Sequence, residues 1–196
     1  MNYLAHLFLA SDKENARLGG LLADFVRGDA KQKYSIDIQY EIHLHKLIDA
    51  YTDSHPVILD AKKMVDEKKH RYMGIVLDVF YDHKLAQNWG IYSNLSLLEF
   101  TQQTYHLMQN NDNLLPNVVR EFVSFMIQED WLTSYTDMQG FTKAIRRLSM
   151  RLTKGEIMWN CISDVEENYS AFSVGFEEFF PQLIDYVQRQ RADTAA

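Results

Sequence analysis

The sequence predicts an all-α, single-domain helical bundle. Apolar residues recur at spacings of three and four through most of the chain, and no convincing stretch alternates apolar with polar. Eight Gly and three Pro in 196 residues leave few breakers, which favours long helices. A hydrophobic content of 46%, with 13% aromatics, supplies a real core for one domain over 1–196, with disorder expected only in the last few residues.

The elements follow in order. A short amphipathic helix is expected over 2–10, and a second over 13–27 with Gly28 as its stop. A third covers 36–53 and ends before Pro56; a fourth covers 56–68 and a fifth 71–89. Beyond Asn94 the expected helices are 96–109, 116–128, 138–152 and 159–190, the last broken near Pro181. Pro116 and Pro181 suit first-turn or break positions. Phe172, Phe176, Phe179 and Phe180 keep helical spacing and read as core. No internal repeat or low-complexity segment occurs.

Composition narrows the function. A net charge of −7 argues against general nucleic-acid binding, which needs a broad cationic surface. No apolar run approaches the roughly 20 residues of a membrane span, and the N-terminus lacks a basic leader. The single Cys161 excludes an intrachain disulfide and a thiolate zinc cluster. A cytoplasmic protein is expected.

The polar chemistry lies in the first half, where six of the seven histidines fall within 83 residues. Asp78, Asp82 and His83 interrupt the apolar run Leu77–His83, and Asp78 and Asp82 are four apart, hence on one helix face. Asp is costly to bury unpaired, so metal coordination is expected there; a hydrogen-bonded structural network is the plainer alternative. Asp24 sits in Leu21-Leu22-Ala23-Asp24-Phe25-Val26, with Arg27 as its obvious local partner. His6 has Asn2 one turn away and is grouped with the ligands, although a satisfied core histidine reads equally well. His45, Asp49 and Asp53 follow a spacing of four, whereas His43 diverges by about 200° from His45. His45, in line with Asp49, is therefore the stronger candidate. His55 reads as a cap, and His70 and His106 as surface residues. Histidine nitrogens with carboxylate oxygens and no thiolate suit Mn²⁺, Fe²⁺ or Zn²⁺.

Together, Met1–Leu7, Gly20–Gly28, Ile42–His45 with Ile48-Asp49 and Thr52-Asp53, and Leu77–Val79 with Asp82-His83, with a weaker echo in Trp131, Tyr135, Asp137 and Met138, resemble the bacterial acyl-carrier-protein phosphodiesterase family. That family is similar in chemistry to the all-helical HD-type metal phosphohydrolases. The resemblance implies a divalent metal, typically Mn²⁺ with Mg²⁺ as a further choice, and cleavage of 4′-phosphopantetheine from holo acyl carrier protein. Lys46 stands where Arg is expected, and Tyr81 where Trp also occurs.

On this basis the expected metal ligands are Asp24, Asp78, Asp82, His83 and His6. Arg27 and Lys46 are the expected phosphate clamps, and the proton donor is open among His45, Asp49 and Asp53. Lys143, Arg146, Arg147, Arg151 and Lys154 form a run without acids that suits an acidic partner, most of them on one expected helix face. Two alternatives share parts of this pattern: an HD-type hydrolase of nucleotides or small phosphoesters, and a non-catalytic helical metal-binding bundle. Paired Glu-x-x-His motifs, which mark di-iron bundles, are absent.

Overall fold

Helices form where apolar residues recur at spacings of three and four and breakers are few. In a computed structural model that describes residues 1–11, 13 and 15–195 (side chains of 194 and 195 excepted), all regular structure is helical. The α-helices are α1 (Tyr3–Leu9), α2 (Ala16–Leu22), α3 (Ile36–Ser54), α4 (Pro56–Lys63), α5 (His70–Gln87) and α6 (Trp89–Tyr92). They continue with α7 (Leu97–Asn110), α8 (Asn117–Gln128), α9 (Trp131–Ser134), α10 (Met138–Ser149), α11 (Gly155–Glu167) and α12 (Tyr169–Ala195). None among the described residues is long and apolar enough to cross a membrane.

Helix α5 is the axis of the bundle. From Val76 to Ala86 only Asp78 among its residues escapes full burial, because α1, α4, α10, α11 and α12 pack around it. A helix covered on all sides is apolar all round, which explains its weak amphipathicity. The α12 stripe Phe172, Phe176, Phe179 and Phe180 is 0–1% exposed, and each ring contributes about 1.5–3 kcal/mol by burial.

Helices α2 and α3 lie close enough that a Cβ on Gly19 would stand 2.5 Å from Glu41 Cβ and 2.7 Å from the Ile38 carbonyl. Only glycine permits that approach. It sets the Gly20 carbonyl and the turn after α2 against the middle of α3.

Several boundaries differ from the sequence expectation. The second helix spans Ala16–Leu22 instead of 13–27, and Asp24 sits in the following turn, where the Phe25 and Val26 amides both return to Leu22 O. Asp12 and Glu14, inside the expected helix, lie outside the described residues. Gly28, at φ 58°, opens a 3-10 turn over Gly28–Lys33. The C-terminal pair of helices separates at Asn168, whose side chain bonds the Asp164 carbonyl, and not at Pro181. Pro181 is exposed inside α12, where the one hydrogen bond it removes leaves a carbonyl open to water. Where disorder of the last residues is expected, α12 runs to Ala195; Ala196 lies outside the described residues.

Candidate functional site

Four segments converge on a cleft of about 280 Å³. The turn after α2 brings Asp24, α3 brings His45, Asp49 and Asp53, α5 brings Asp78, and the N-terminus brings Met1, Asn2 and Tyr3. His6, on α1, forms part of its floor through Asp49.

Asp49 is the hub. Its Oδ1 lies 3.0 Å from His6 Nε2, and its Oδ2 lies 3.3 Å from His45 Nε2. Burial pushes the Asp49 carboxyl up, but hydrogen bonds from His45 and His6 outweigh it and hold the group well below the usual carboxylate range. His45 Nδ1 donates to the Gly20 carbonyl at 2.9 Å, which directs Nε2 toward Asp49 and toward Asp24 Oδ1 at 3.5 Å. A histidine fixed by a backbone carbonyl on one nitrogen presents the other to a metal. Burial opposes the His45 cation, yet Asp24 and Asp49 outweigh it and raise the imidazole to about 9. His6 stacks on His45 at 3.6 Å and 9°, and its Nε2 also meets the Met1 carbonyl at 3.1 Å. Burial pushes His6 down to about 4, and the neighbouring His45 charge adds to this. Its buried Nδ1 has no hydrogen-bond partner among the described residues.

The donor set fits a divalent cation. Ligand atoms of His6, His45 and Asp49 all lie within 4.8 Å of one another. The Met1 ammonium stands 2.9 Å from Asp78 Oδ1 and 3.6 Å from Asp49 Oδ1, a positive charge where the carboxylates converge. Burial pulls that ammonium down, but Asp78 and Asp49 raise it to about 10. Desolvation raises the Asp78 carboxyl. Such a cleft repels an anion unless a cation of higher charge inverts its field.

A model of the family described as acyl carrier protein phosphodiesterase matches residues 1–183. The chain belongs to that family. Among its relatives is an acyl carrier protein phosphodiesterase of Serratia proteamaculans, 34% identical over 94% of this chain and 96% of its own. Those of Pectobacterium atrosepticum and Photorhabdus laumondii are 30% and 29% identical, over 97% of this chain and 100% and 96% of theirs. No solved structure matches the chain.

Within this family member, the site residues expected from sequence divide into two groups. Asp24, His45, Asp49, Asp53 and Asp78 line the cleft, and His6 joins them through Asp49. Asp82 and His83 are placed differently. The Leu4 and Ala5 amides donate to Asp82 Oδ2 and Oδ1 at 2.8 and 3.0 Å, so this fully buried carboxylate caps the start of α1. Burial pushes it up to about 7, against the pull of the Ala5 and Leu4 amides and the Met1 ammonium. His83 Nδ1 donates to the Tyr135 carbonyl at 2.7 Å, and its Nε2 lies 3.1 Å from the Tyr169 hydroxyl. His83 lies five residues after Asp78, about 140° around the axis of α5, which turns it away from the cleft side of its helix.

Arg27 and Lys46 are exposed and do not line the cleft. The expected cationic face over 143–154 is split, because α10 ends at Ser149. Arg147 is half-buried on Trp131 and paired with Glu129 at 3.0 Å, while Arg151 lies in the turn beyond. Sequence reasoning missed Tyr3, Leu148 and Lys62. Tyr3 sits beside Asp24, Leu148 walls the cleft, and Lys62 pairs with Asp53 at 3.6 Å. Tyr3 has a signal in its position within the opening motif; the other two have none.

Proposed function

We propose that this protein is a metal-dependent phosphodiesterase of the cytoplasm. Its reaction is hydrolysis of the bond between 4′-phosphopantetheine and the serine of holo acyl carrier protein, leaving the apo carrier. The observation that carries this reading is the convergence of Asp24, His45, Asp49 and Asp78 on one cleft in a chain of this family. The lone, buried Cys161 fits a reducing compartment.

His45, Asp49, Asp24 and Asp78 are the residues that would hold the metal, with His6 beside them, and nitrogen–oxygen donors without thiolate suit Mn²⁺. When bound, a divalent metal lowers the pKa of its water and polarises a phosphoryl oxygen. The chain's own residues do the rest. The Gly20 carbonyl and Asp49 orient His45, and Asp82 fixes α1 and so the position of His6. Phosphoryl transfer asks chiefly for such positioned charge. In the overall reaction, water oxygen adds to phosphorus, the bond from phosphorus to the serine oxygen breaks, and that oxygen takes a proton. Asp53, exposed at the rim beside Lys62, faces the entering substrate.

Incubating the protein with holo acyl carrier protein and Mn²⁺, followed by intact-mass spectrometry, tests this reading. Loss of the phosphopantetheine mass is expected, and a chelator should stop it. A carrier left intact with Mn²⁺, Mg²⁺, Fe²⁺ and Zn²⁺ in turn, while free nucleotides are cleaved, would replace this reading with the nucleotide-hydrolase one.

A further inference from the structure

A groove of about 410 Å³ lies beside the metal cleft, formed by Phe25, Val118, Phe122, Phe125 and Trp131, with Arg151 at one end. Between groove and cleft is a narrow crevice of about 20 Å³, walled by Asn2, Tyr3, Leu148 and Arg151. Tyr3 and Leu148 also line the cleft, so the three spaces share walls. The groove is largely apolar and open: Val118 and Phe125, on one face of α8 about two turns apart, are 60% and 58% exposed.

Its walls also carry two carboxylates, Glu121 and Glu129, and two guanidiniums, Arg147 and Arg151, which are unequal in availability. Arg147 is engaged by Glu129 and Trp131. Arg151 has no carboxylate partner among the described residues; its guanidinium lies 5.9 Å from the centre of the Phe122 ring, and its field reaches the Tyr3 hydroxyl beside Asp24. One uncommitted cation thus stands where an apolar channel meets a cation-binding cleft.

We propose that this groove receives the pantetheine arm of the substrate, with the Arg151 guanidinium at its inner end binding the phosphodiester oxygens. This rests on the phosphodiesterase reading above and specifies where its substrate lies. A phosphodiester held at the cleft sends two chains away from phosphorus, one to the carrier serine and one into the arm. The arm is uncharged beyond its phosphate, with a branched apolar segment and amides. An apolar groove ending in a guanidinium matches that distribution, and guanidinium is well suited to phosphate oxygens. The volume falls in the range of small-molecule sites, about 300–1,000 Å³. A carrier helix would instead need a long, continuous apolar face.

Calorimetric binding of 4′-phosphopantetheine and of inorganic phosphate, with Mn²⁺ present, separates these roles. Phe125→Asp should weaken phosphopantetheine binding by about tenfold to a hundredfold, the worth of one aromatic contact, while phosphate binding stays within about twofold. Arg151→Gln should weaken both ligands. Val174→Asp, at an exposed apolar position on α12 outside the groove, should change neither. Phe125 and Val118 are surface positions, so Asp variants at either retain the fold and check each other. Wild-type affinity for phosphopantetheine in both overturns the proposal. So does a raised KM for holo carrier with unchanged phosphopantetheine binding, which would give the groove to the carrier's protein body. If the wild-type protein releases no phosphopantetheine from the carrier, the functional reading and this one fall together.

Discussion

Replacing Asp49 with Ala is expected to lower hydrolysis of holo acyl carrier protein by about a thousandfold or more, beyond the 10–100-fold typical of losing a supporting partner. The magnitude follows from its place in the site. Among the described residues Asp49 alone pairs with both stacked imidazoles, at 3.0 and 3.3 Å, and it faces the point where the Met1 ammonium marks a cation position. Its removal leaves His6 and His45 without their shared anion and strips a charge from the donor set. The side chain is 43% exposed, so helical content by circular dichroism should be retained. Asp49→Asn keeps the shape without the charge and should fall nearly as far. Turnover within about tenfold of wild type in the Asn variant would mean that Asp49 serves only to pack the histidines.

Replacing Asp82 with Ala has the second large effect, and it falls on stability. The carboxylate accepts both the Leu4 and Ala5 amides in a fully buried position. Without it two buried donors lose their acceptor, at about 1–3 kcal/mol each, partly offset by the relief of burying an acid. Urea titration should therefore show a loss of about 2–4 kcal/mol. Because α1 carries His6, activity should fall too, yet the folded fraction should keep most of its Mn²⁺ affinity. Unchanged stability together with lost metal binding would return Asp82 to the ligand set.

These two aspartates show what was legible in the sequence. The bundle was legible because apolar residues keep helical spacing in helices such as α8 and α10, while the central helix, apolar all round, is marked by an 18-residue run without proline. The α3 half of the site was legible for a similar reason: His45 and Asp49 stand one turn apart and must share a face. Asp82 gave the same signal as a ligand, an acid within an apolar run. Its partners are amides 78 and 77 positions away, and sequence spacing carries no trace of them. Asp24 stands out as an acid in the apolar run 21–26, where the spacing predicts a helix, whereas α2 ends two residues earlier and a turn presents it. Arg27 and Lys46 stand near the acids in sequence, yet both are exposed away from the cleft. Arg151, which walls the crevice beside the cleft, arrives from a turn more than 100 positions later, through tertiary packing alone.

On the proposed function, one metal centre lies among Asp24, His45, Asp49 and Asp78. Crystals soaked in Mn²⁺ and measured near the manganese absorption edge test it most directly. The expected result is an anomalous peak at coordination distance from Asp49 and His45, with the Met1 amino group displaced from Asp78. A peak beside Asp82 and His83, or none at a Mn²⁺ concentration that supports turnover, would contradict the account.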